Sequence, residues 1–357
     1  MNPFLESYFE FIKRLILSCQ GDAGVIGLDI GPLACRAVEL CRKQGGFEVV
    51  RWIVEPIEGV DEKAALVKIL EKLGPSVRTR PLIVSLSGKG TLIRHVDIPR
   101  MSNSDLRKAF PLEADKYFPF PKETVYTDCF ILDPKGQDKK MSVIVAAVKK
   151  DIVEGRLKLL KECGVEPVSL TIVSVAVANT FAAFPPPTCS REDLGGKAVA
   201  LIDMGETLTS LMIMSDGIPR FTRDIFMGMA DVARRVANTA GLSLPQARAL
   251  CALGAPAGHE AEIQKSVEAV LTNLVAEIRL SFDYFSTERK LPVGRICLIG
   301  DGVYASHVES MFAAHFDIPL VVWNPAEVLQ TTVNRDALVK EGRRMITAIG
   351  LAVGEYD

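Results

Sequence analysis

The stretch Leu201-Ile202-Asp203-Met204-Gly205-Glu206-Thr207-Leu208-Thr209-Ser210 has a weaker copy near the N-terminus, Gly27-Leu28-Asp29-Ile30-Gly31-Pro32-Leu33-Ala34. Each copy is an apolar strand that ends in Asp-x-Gly and turns into a second predicted strand. A glycine in such a turn lets backbone N–H groups approach a phosphate, and threonine hydroxyls add donors. Two facing carboxylates can hold a hydrated Mg²⁺. One Asp-x-Gly is common, but two at equivalent places predict a duplicated hairpin around a phosphate site.

Composition limits the classes of protein that this chain can represent. Its 357 residues are 48% hydrophobic and 24% charged, which is typical of a soluble globular protein with two domains. A formal net charge of −2 gives no electrostatic reason to expect nucleic-acid binding. The eight cysteines are scattered without metal-binding spacing, so we expect reduced, mostly buried thiols in a cytoplasmic protein.

Residues 1–24 are predicted to form an amphipathic helix, because their apolar side chains recur at helical spacing. The acidic residues that precede Lys13 and Arg14 do not suit a signal peptide. Two interpretations remain open. The helix packs on its own protein or on a second copy, or it docks on a membrane surface or a partner.

The rest of the chain reads as two similar halves. Each half has three strands, then a helix and a strand, then a helix and a strand, and the Asp-x-Gly sequence lies at its first hairpin. We expect domain I at 25–186 with an inserted subdomain at about 92–148, and domain II at 187–334 after a proline-rich linker. A single apolar helix at 338–353, within a C-terminal segment 335–357, should return to domain I. Pro111 should kink or break the helix that begins at Ser102.

This organisation resembles the actin-like ATPase superfamily, whose ribonuclease H-like duplicated α/β fold has two domains and binds nucleotide between them. Three segments resemble the type IV pilus assembly protein PilM family in particular. They are Leu112 to Pro121, which contains Tyr-Phe-Pro-Phe-Pro; Asp203 to Ser210; and Glu277 to Phe285 with Ile296 to Gly302. The resemblance extends from about Val25 to Gly354.

The resemblance implies a cytoplasmic scaffold of the pilus inner-membrane assembly complex that binds ATP or ADP with Mg²⁺. It also implies binding to the short cytoplasmic tail of a PilN-like membrane protein, which would link the complex to the motor ATPase. The chain would then be peripheral on the inner membrane through its partners, and it could form a homo-oligomer. As an enzyme it would be at most a weak ATPase, and no catalytic residue is identified.

Site residues are carried over by position. The residues that the resemblance assigns to the nucleotide are Asp29, Gly31 and Arg36 in the first loop; Asp203, Gly205, Thr207 and Thr209 in the second; Gly300 and Gly302 in the adenosine loop; and Gly350 in the last helix. Asp29 and Asp203 would hold Mg²⁺ through water.

Three departures from the family pattern predict a weakened nucleotide site. Pro32, Leu33 and Ala34 offer no hydroxyl in the first loop, and the family usually has lysine where Arg36 stands. Glu206 places an acid beside the second loop, where an unpaired carboxylate would repel phosphate. Asp301 interrupts the glycine run of the adenosine loop.

Several alternatives remain open from the sequence. The chain could instead be the cytoplasmic domain of a GspL-like type II secretion protein, or an active ATPase or sugar-kinase-like phosphotransferase. The aromatic residues Tyr117, Phe118 and Phe120 could be core or could form a partner groove. We expect Arg343 and Arg344 to lie on a solvated face.

Overall fold

The computed structural model describes residues 24–44, 46–57, 61–132, 139–253, 260–304 and 308–354. The predicted N-terminal helix, 1–24, lies outside the described residues except for Gly24. The strands are β1 Val25–Ile30, β2 Ala34–Lys43, β3 Gly46–Pro56, β4 Leu82–Leu86, β5 Thr91–Pro99, β6 Val125–Ile131, β7 Lys140–Lys149, β8 Ser169–Ile172, β9 Ala198–Met204, β10 Thr209–Ser215, β11 Ile218–Ile225, β12 Val293–Ile299, β13 Leu320–Val322 and β14 Gln330–Thr331. The helices are α1 Glu62–Leu73, α2 Ser76–Thr79, α3 Asn103–Glu113, α4 Lys150–Glu162, α5 Val173–Ala183, α6 Arg191–Leu194, α7 Met229–Ala240, α8 Leu244–Leu253, α9 Glu260–Arg289, α10 Val308–His315, α11 Arg335–Glu341 and α12 Ile346–Gly354.

The first sheet has the strand order β14-β3-β2-β1-β4-β8. Strands β1, β2 and β3 are antiparallel, whereas β4 runs parallel to β1 and β8 parallel to β4. Every residue of β1 is buried, as expected for a strand that is covered on both faces. The register of the first hairpin pairs Asp29 with Arg36, so these two side chains lie on the same face at its end.

The second sheet repeats this arrangement in the order β11-β10-β9-β12-β13. Strands β9, β10 and β11 are antiparallel, and β12 and β13 run parallel to β9. Here the register pairs Asp203 with Ser210, the position that corresponds to Arg36 in the first hairpin. The predicted duplication of the hairpin is therefore present in the backbone of both halves.

Helices α5 and α12 lie between the two sheets. Val177 and Phe181 of α5 pack on the second sheet, and Ala348 and Leu351 of α12 pack on the first. Helices α1 and α4 cover the outer face of the first sheet, and α7, α9 and α10 cover that of the second. This layering brings the ends of β1 and β9, with their aspartates, to one interdomain cleft.

A separate three-stranded sheet, in the order β5-β7-β6, is formed by residues between Thr91 and Lys149. Helix α3 packs on one face of it through Leu106 and Phe110. Ser102 caps this helix by accepting a hydrogen bond from the backbone N–H of Asp105 at 3.1 Å. Helix α3 is not broken at Pro111, because it continues to Glu113 before a 3₁₀ turn, and the alternative of a kink at Pro111 stays a prediction. A proline this close to the C-terminal end removes only one helical hydrogen bond.

The C-terminal return differs from the prediction in two ways. The single helix expected at 338–353 is instead two helices, α11 and α12, separated by a 3₁₀ turn at Gly342–Arg344. A glycine has low helix propensity, and a Cβ at Gly342 would lie 2.2 Å from Asn324 Oδ1. The return also begins before residue 335, because β14 pairs with β3 and Ala326 packs in the core of the first sheet.

No helix in the described part of the chain is long and apolar enough to cross a membrane. The described cysteines are free thiols, all buried except the half-buried Cys163.

Candidate functional site

The two hairpin turns face each other across a cleft of about 1130 Å³. The end of β1 and the start of β2 form one wall, and the end of β9 with the turn after β12 forms the other. The predicted site residues that line this cleft are Asp29, Gly31, Arg36, Asp203, Gly205, Thr207 and Gly300. They meet because the first hairpins of both halves end at the same place.

Thr209, Gly302 and Gly350 are not among the residues that line the cleft. The Thr209 hydroxyl donates a hydrogen bond to the Met227 carbonyl at 2.8 Å inside the second domain. A Cβ at Gly302 would lie 2.6 Å from a side-chain atom of β9. A Cβ at Gly350 would lie 1.7 Å from the Ala176 carbonyl oxygen, so α12 and α5 touch through their backbones. The described contacts give these three residues packing roles.

Arg36 joins the two halves of the molecule at the cleft floor. One guanidinium nitrogen lies 2.5 Å from Asp301 Oδ2, directly after β12, and another lies 3.4 Å from Asp29 Oδ2 on β1. The Arg36 side chain is only 7% exposed. We call Arg36 with Asp29 and Asp301 the interdomain clasp.

Arg344 extends the clasp from the C-terminal return. Its Nε lies 3.4 Å from Asp301 Oδ1, and its Nη1 lies 3.1 Å from Glu341 Oε2. The sequence-based expectation that Arg344 lies on a solvated face was therefore wrong. The 3₁₀ turn between α11 and α12 brings it over the cleft, and that turn was not predicted.

The carboxylates of the cleft perturb one another. The pKa of Asp203 is raised to about 7, chiefly by burial and then by the negative charges of Asp301 and Asp29. Burial also raises the pKa of Asp29, although the nearby Arg36 opposes this shift. Burial alone would lower the pKa of Arg36, but the carboxylates of Asp301 and Asp29 more than offset it, and the net shift is upward. The cleft therefore carries several acids and holds Arg36 charged.

Gly300 is explained by this crowding. Its φ is +88°, which favours glycine, and a Cβ there would lie 2.3 Å from Asp203 Oδ1. The backbone after β12 thus passes directly against the Asp203 carboxylate and positions Asp301 beside Arg36.

Glu206 lies beside the second loop, as its sequence position requires, and it is paired with a cation. Its Oε1 lies 2.6 Å from a guanidinium nitrogen of Arg248 on α8. Burial raises the pKa of Glu206, and the attraction of Arg248 opposes that rise. Glu206 lines the cleft, but its charge is balanced by Arg248 within the same domain.

A Mg²⁺ nucleotide fits this arrangement poorly. The volume suffices, but the first turn offers no side-chain hydroxyl, and Pro32 has no N–H. Thr207 is exposed at the second turn and could donate to phosphate, whereas Thr209 is engaged elsewhere. Arg36, at the cleft floor between Asp29 and Asp301, is already shared between them. Its charge is thus balanced without an anionic ligand.

Among the described residues, no three His, Cys, Asp or Glu side chains are placed to hold one metal ion. A water-mediated Mg²⁺ at Asp29 and Asp203 stays a prediction.

The cleft continues outward between the inserted sheet and β11. The Thr222 hydroxyl of β11 donates to the Ile93 carbonyl of β5 at 3.1 Å. Arg289 of α9 contacts His95 Nδ1 at 2.8 Å and Asp97 at 3.3 Å. These contacts tie the inserted sheet to the second domain.

The aromatic segment after α3 divides between core and pocket lining, and its role as a partner groove stays a prediction. Phe118 is 4% exposed and packs edge-on against Phe110, so it is core. Tyr117 is half-buried and lines the cleft. Phe120 lines a second pocket, of about 660 Å³, with Pro119, Pro121, Thr124, Lys149, Lys150 and Asp151.

The partners of the carried-over residues were missed by sequence reasoning. Asp301 was recognised only as an interruption of a glycine run, and Arg344 and Arg248 were not connected with the site. The available signal was that one loop carries a positive charge at Arg36 and the other carries a negative charge at Asp301. Opposite charges in two loops that share a cleft suggest a direct pair.

The chain matches the family model of the type IV pilus assembly protein PilM over residues 27–356. Among solved structures it is similar to a "PilM-PilN type IV pilus biogenesis complex", with a TM-score of 0.78 and 23% identity over 94% of this chain and 100% of that chain. It is also similar to the ethanolamine utilization protein EutJ from Carboxydothermus hydrogenoformans, with a TM-score of 0.51 and 13% identity over 98% and 97% of the two chains.

These likenesses confirm the predicted actin-like fold. The family match covers both hairpins, the inserted sheet and the C-terminal return, which is nearly the whole chain. The protein belongs to the type IV pilus assembly protein PilM family.

Proposed function

We propose that this chain is a cytoplasmic scaffold of a type IV pilus inner-membrane assembly complex and that it binds the cytoplasmic N-terminal tail of a PilN-like membrane protein. The observation that carries the proposal is the family match along residues 27–356. Through that partner the chain would be peripheral on the inner membrane and would connect to the pilus motor ATPase.

The inserted sheet is the place where we propose that the tail binds. The backbone N–H of Leu132 donates to the Ser142 carbonyl. In an antiparallel pair every second residue is hydrogen-bonded to the neighbouring strand, so the even-numbered residues of β6 form their backbone hydrogen bonds with β7. The backbone groups of Thr127 and Ile131 therefore point outward from the sheet. An extended peptide can add a strand to such an edge.

The pocket beside the start of β6 offers a place for apolar side chains of the tail. Phe120 and two prolines form its apolar part, and Lys149 lies over the Phe120 ring at 5.3 Å. Lys150 lies over Tyr126 at 5.6 Å, and Tyr126 is 43% exposed. A short extended segment with apolar anchors suits this combination of an edge and a pocket.

We propose a lesser role for the interdomain cleft, which is the position where ATP or ADP with Mg²⁺ would bind weakly. Asp29 and Asp203 would face the hydrated metal, and Gly205 and Thr207 would face phosphate. The bound metal would supply charge neutralisation for the phosphates. The chain would be at most a weak ATPase. A sugar-kinase-like activity has no observation that favours it.

Binding of a labelled peptide with the N-terminal tail sequence of the PilN-like partner tests the scaffold proposal. Fluorescence anisotropy should show saturable binding to the full chain, and Phe120→Ala should weaken it about tenfold, since it removes an anchor pocket. Leu280→Ala is a matched control, because Leu280 is 61% exposed on α9, outside the pocket. Equal affinities of the two variants would remove the pocket from the proposal, and no binding by a folded protein would overturn the proposal itself.

A further inference from the structure

The interdomain clasp connects the two halves of the molecule across the cleft, as a ligand bound between them would. Arg36 and Asp301 are 265 residues apart in the chain, and they meet at the floor of the cleft. Asp29 contacts the same guanidinium from the first hairpin. One cationic group therefore touches the phosphate-loop position of the first half and the glycine-rich turn of the second.

The chemistry of arginine suits this task better than that of lysine. A guanidinium is planar, stays charged and presents several donors in a fixed fork, so it can bond two carboxylates at once. A lysine ammonium is a single point charge on a flexible stem. Arg36 is thus able to hold both halves, whereas a lysine at this position would be free to follow a phosphate.

A ligand phosphate would have to compete with the clasp. Asp301 lies 2.5 Å from Arg36, and Arg344 lies 3.4 Å from Asp301 on its other side. A phosphate placed at the first turn would meet the carboxylates of Asp29 and Asp301 unless Arg36 left one of them. In a site this buried, that exchange costs free energy before any phosphate contact is made.

We infer that Arg36 is a built-in counter-ion for Asp29 and Asp301. Because both carboxylates hold its guanidinium, Arg36 keeps the cleft closed and is not free to bind the phosphates of a nucleotide, which is thereby excluded. This inference rests on the proposed weak role of nucleotide, and it supplies a cause for that weakness. The two halves stay together without a ligand, so the protein keeps one shape whatever the nucleotide supply.

The same arrangement predicts a gain of binding when the clasp is opened. Without the Asp301 carboxylate, the buried Arg36 keeps Asp29, at 3.4 Å, as its one charged partner within the described part of the chain. Its Nε already has no hydrogen-bond partner among the described residues. A buried guanidinium with unused donors is a strong anion ligand.

Titration calorimetry of the full chain with ATP and Mg²⁺ tests the inference. The variants are Asp301→Gly, which removes the carboxylate; Asp301→Asn, which removes only its charge; and Arg36→Lys. The control is Glu162→Gln, which loses an exposed pair with Lys63 at 2.8 Å. We expect wild type and control to bind with a Kd of about 1 mM or weaker, and Asp301→Gly to bind at least about tenfold more tightly.

Small-angle X-ray scattering gives a second readout that does not depend on nucleotide affinity. Wild type should have the same radius of gyration with and without nucleotide. Asp301→Gly should be larger without nucleotide and should contract when ATP and Mg²⁺ are added. Circular dichroism of each variant establishes whether it is folded. If Asp301→Gly is not folded, Asp301→Asn takes its place in both measurements.

Micromolar binding by wild type that Asp301→Asn weakens would overturn the inference, as would affinities that agree within twofold across the clasp variants. The tail-peptide assay on the same samples separates the two proposals. If Asp301→Gly binds ATP no more tightly than wild type while the tail peptide still binds, only the inference about the clasp is rejected. If Asp301→Gly binds ATP more tightly but the tail peptide does not bind, only the scaffold proposal is rejected.

Discussion

The two hairpin turns have the same backbone arrangement, but their side chains make different contacts. In the first, the residue opposite Asp29 is the cation Arg36, which reaches across the cleft to Asp301. In the second, the residue opposite Asp203 is Ser210, which donates to Asp224 at 2.7 Å within its own sheet. Duplication thus gives two equivalent positions, and one has become an interdomain contact while the other stays internal.

The largest difference between the two hairpins should appear when the arginine that pairs with an acid of each hairpin is removed. These arginines are Arg36, which pairs with Asp29, and Arg248 of α8, which pairs with Glu206. Arg36→Ala leaves the buried Asp29 without its counter-charge and leaves the partly exposed Asp301 with Arg344 alone, so we expect a loss of about 3 kcal/mol in the free energy of unfolding. Arg248→Ala should cost about 1 kcal/mol, because the Arg248 side chain is 45% exposed and water can replace it. Urea denaturation measures both losses, and equal values would break the comparison.

Replacing Asp203 by Asn should give a pH-dependent gain. An unfolded Asp releases its proton near pH 4, whereas folded Asp203 keeps it up to about pH 7. Between these values the folded state binds more protons, so wild-type stability falls as pH rises, and the full penalty is present above pH 7. Asn carries no such penalty.

The advantage of Asp203→Asn should therefore grow from pH 4 to pH 7, by at most about 1.4 kcal/mol per pH unit, and stay constant above. We expect about 2 kcal/mol at pH 8. Thermal or urea denaturation at pH 5, 6, 7 and 8 gives this profile, and a difference that does not change with pH would contradict the assignment.

A smaller effect should separate the two threonines of the second hairpin. Thr209→Val removes the hydrogen bond to the Met227 carbonyl and leaves that acceptor without its hydroxyl donor, which should cost about 1 kcal/mol. This change should leave nucleotide affinity unaltered. Calorimetry and urea denaturation of the same preparation measure both quantities.

The smallest effect on stability is expected from Thr207→Val. Thr207 is exposed at the cleft, so the free energy of unfolding should change by less than about 0.5 kcal/mol. In the Asp301→Gly background, however, Thr207→Val should weaken ATP binding, since it removes a phosphate donor. If both threonine variants behave alike, the division between a cleft-facing and an inward-facing hydroxyl is wrong.

Much of this fold could be predicted, because strands and hairpins leave local signals. The short apolar runs of β9 and β10 and the turn at Gly205 between them identify the second hairpin without any tertiary information. β14, with two residues, is too short to leave a period in the sequence. The turn at Gly342–Arg344 was hidden inside an apolar stretch that reads as one helix.

The position of the site could be predicted from the sequence, but the ion pairs between its residues could not. Aspartate and glycine at two hairpin ends locate the cleft. The pairing of Arg36 with Asp301, or of Glu206 with Arg248, depends on distances between residues far apart in the chain. Local patterns carry no information on such distances. Gly350 shows the same limit, because its position reflects a helix contact that only the packed molecule shows.

That contact also determines how the two halves can move. Where α12 meets α5 at Gly350, the two helix backbones are in direct contact, and the Thr180 hydroxyl beside them donates to the Ile346 carbonyl at 2.7 Å. Such a contact allows turning about a point and resists translation, so it has the geometry of a pivot. Any opening of the molecule would then be a rotation about the middle layer, and it would be widest at the rim where the inserted sheet meets β11.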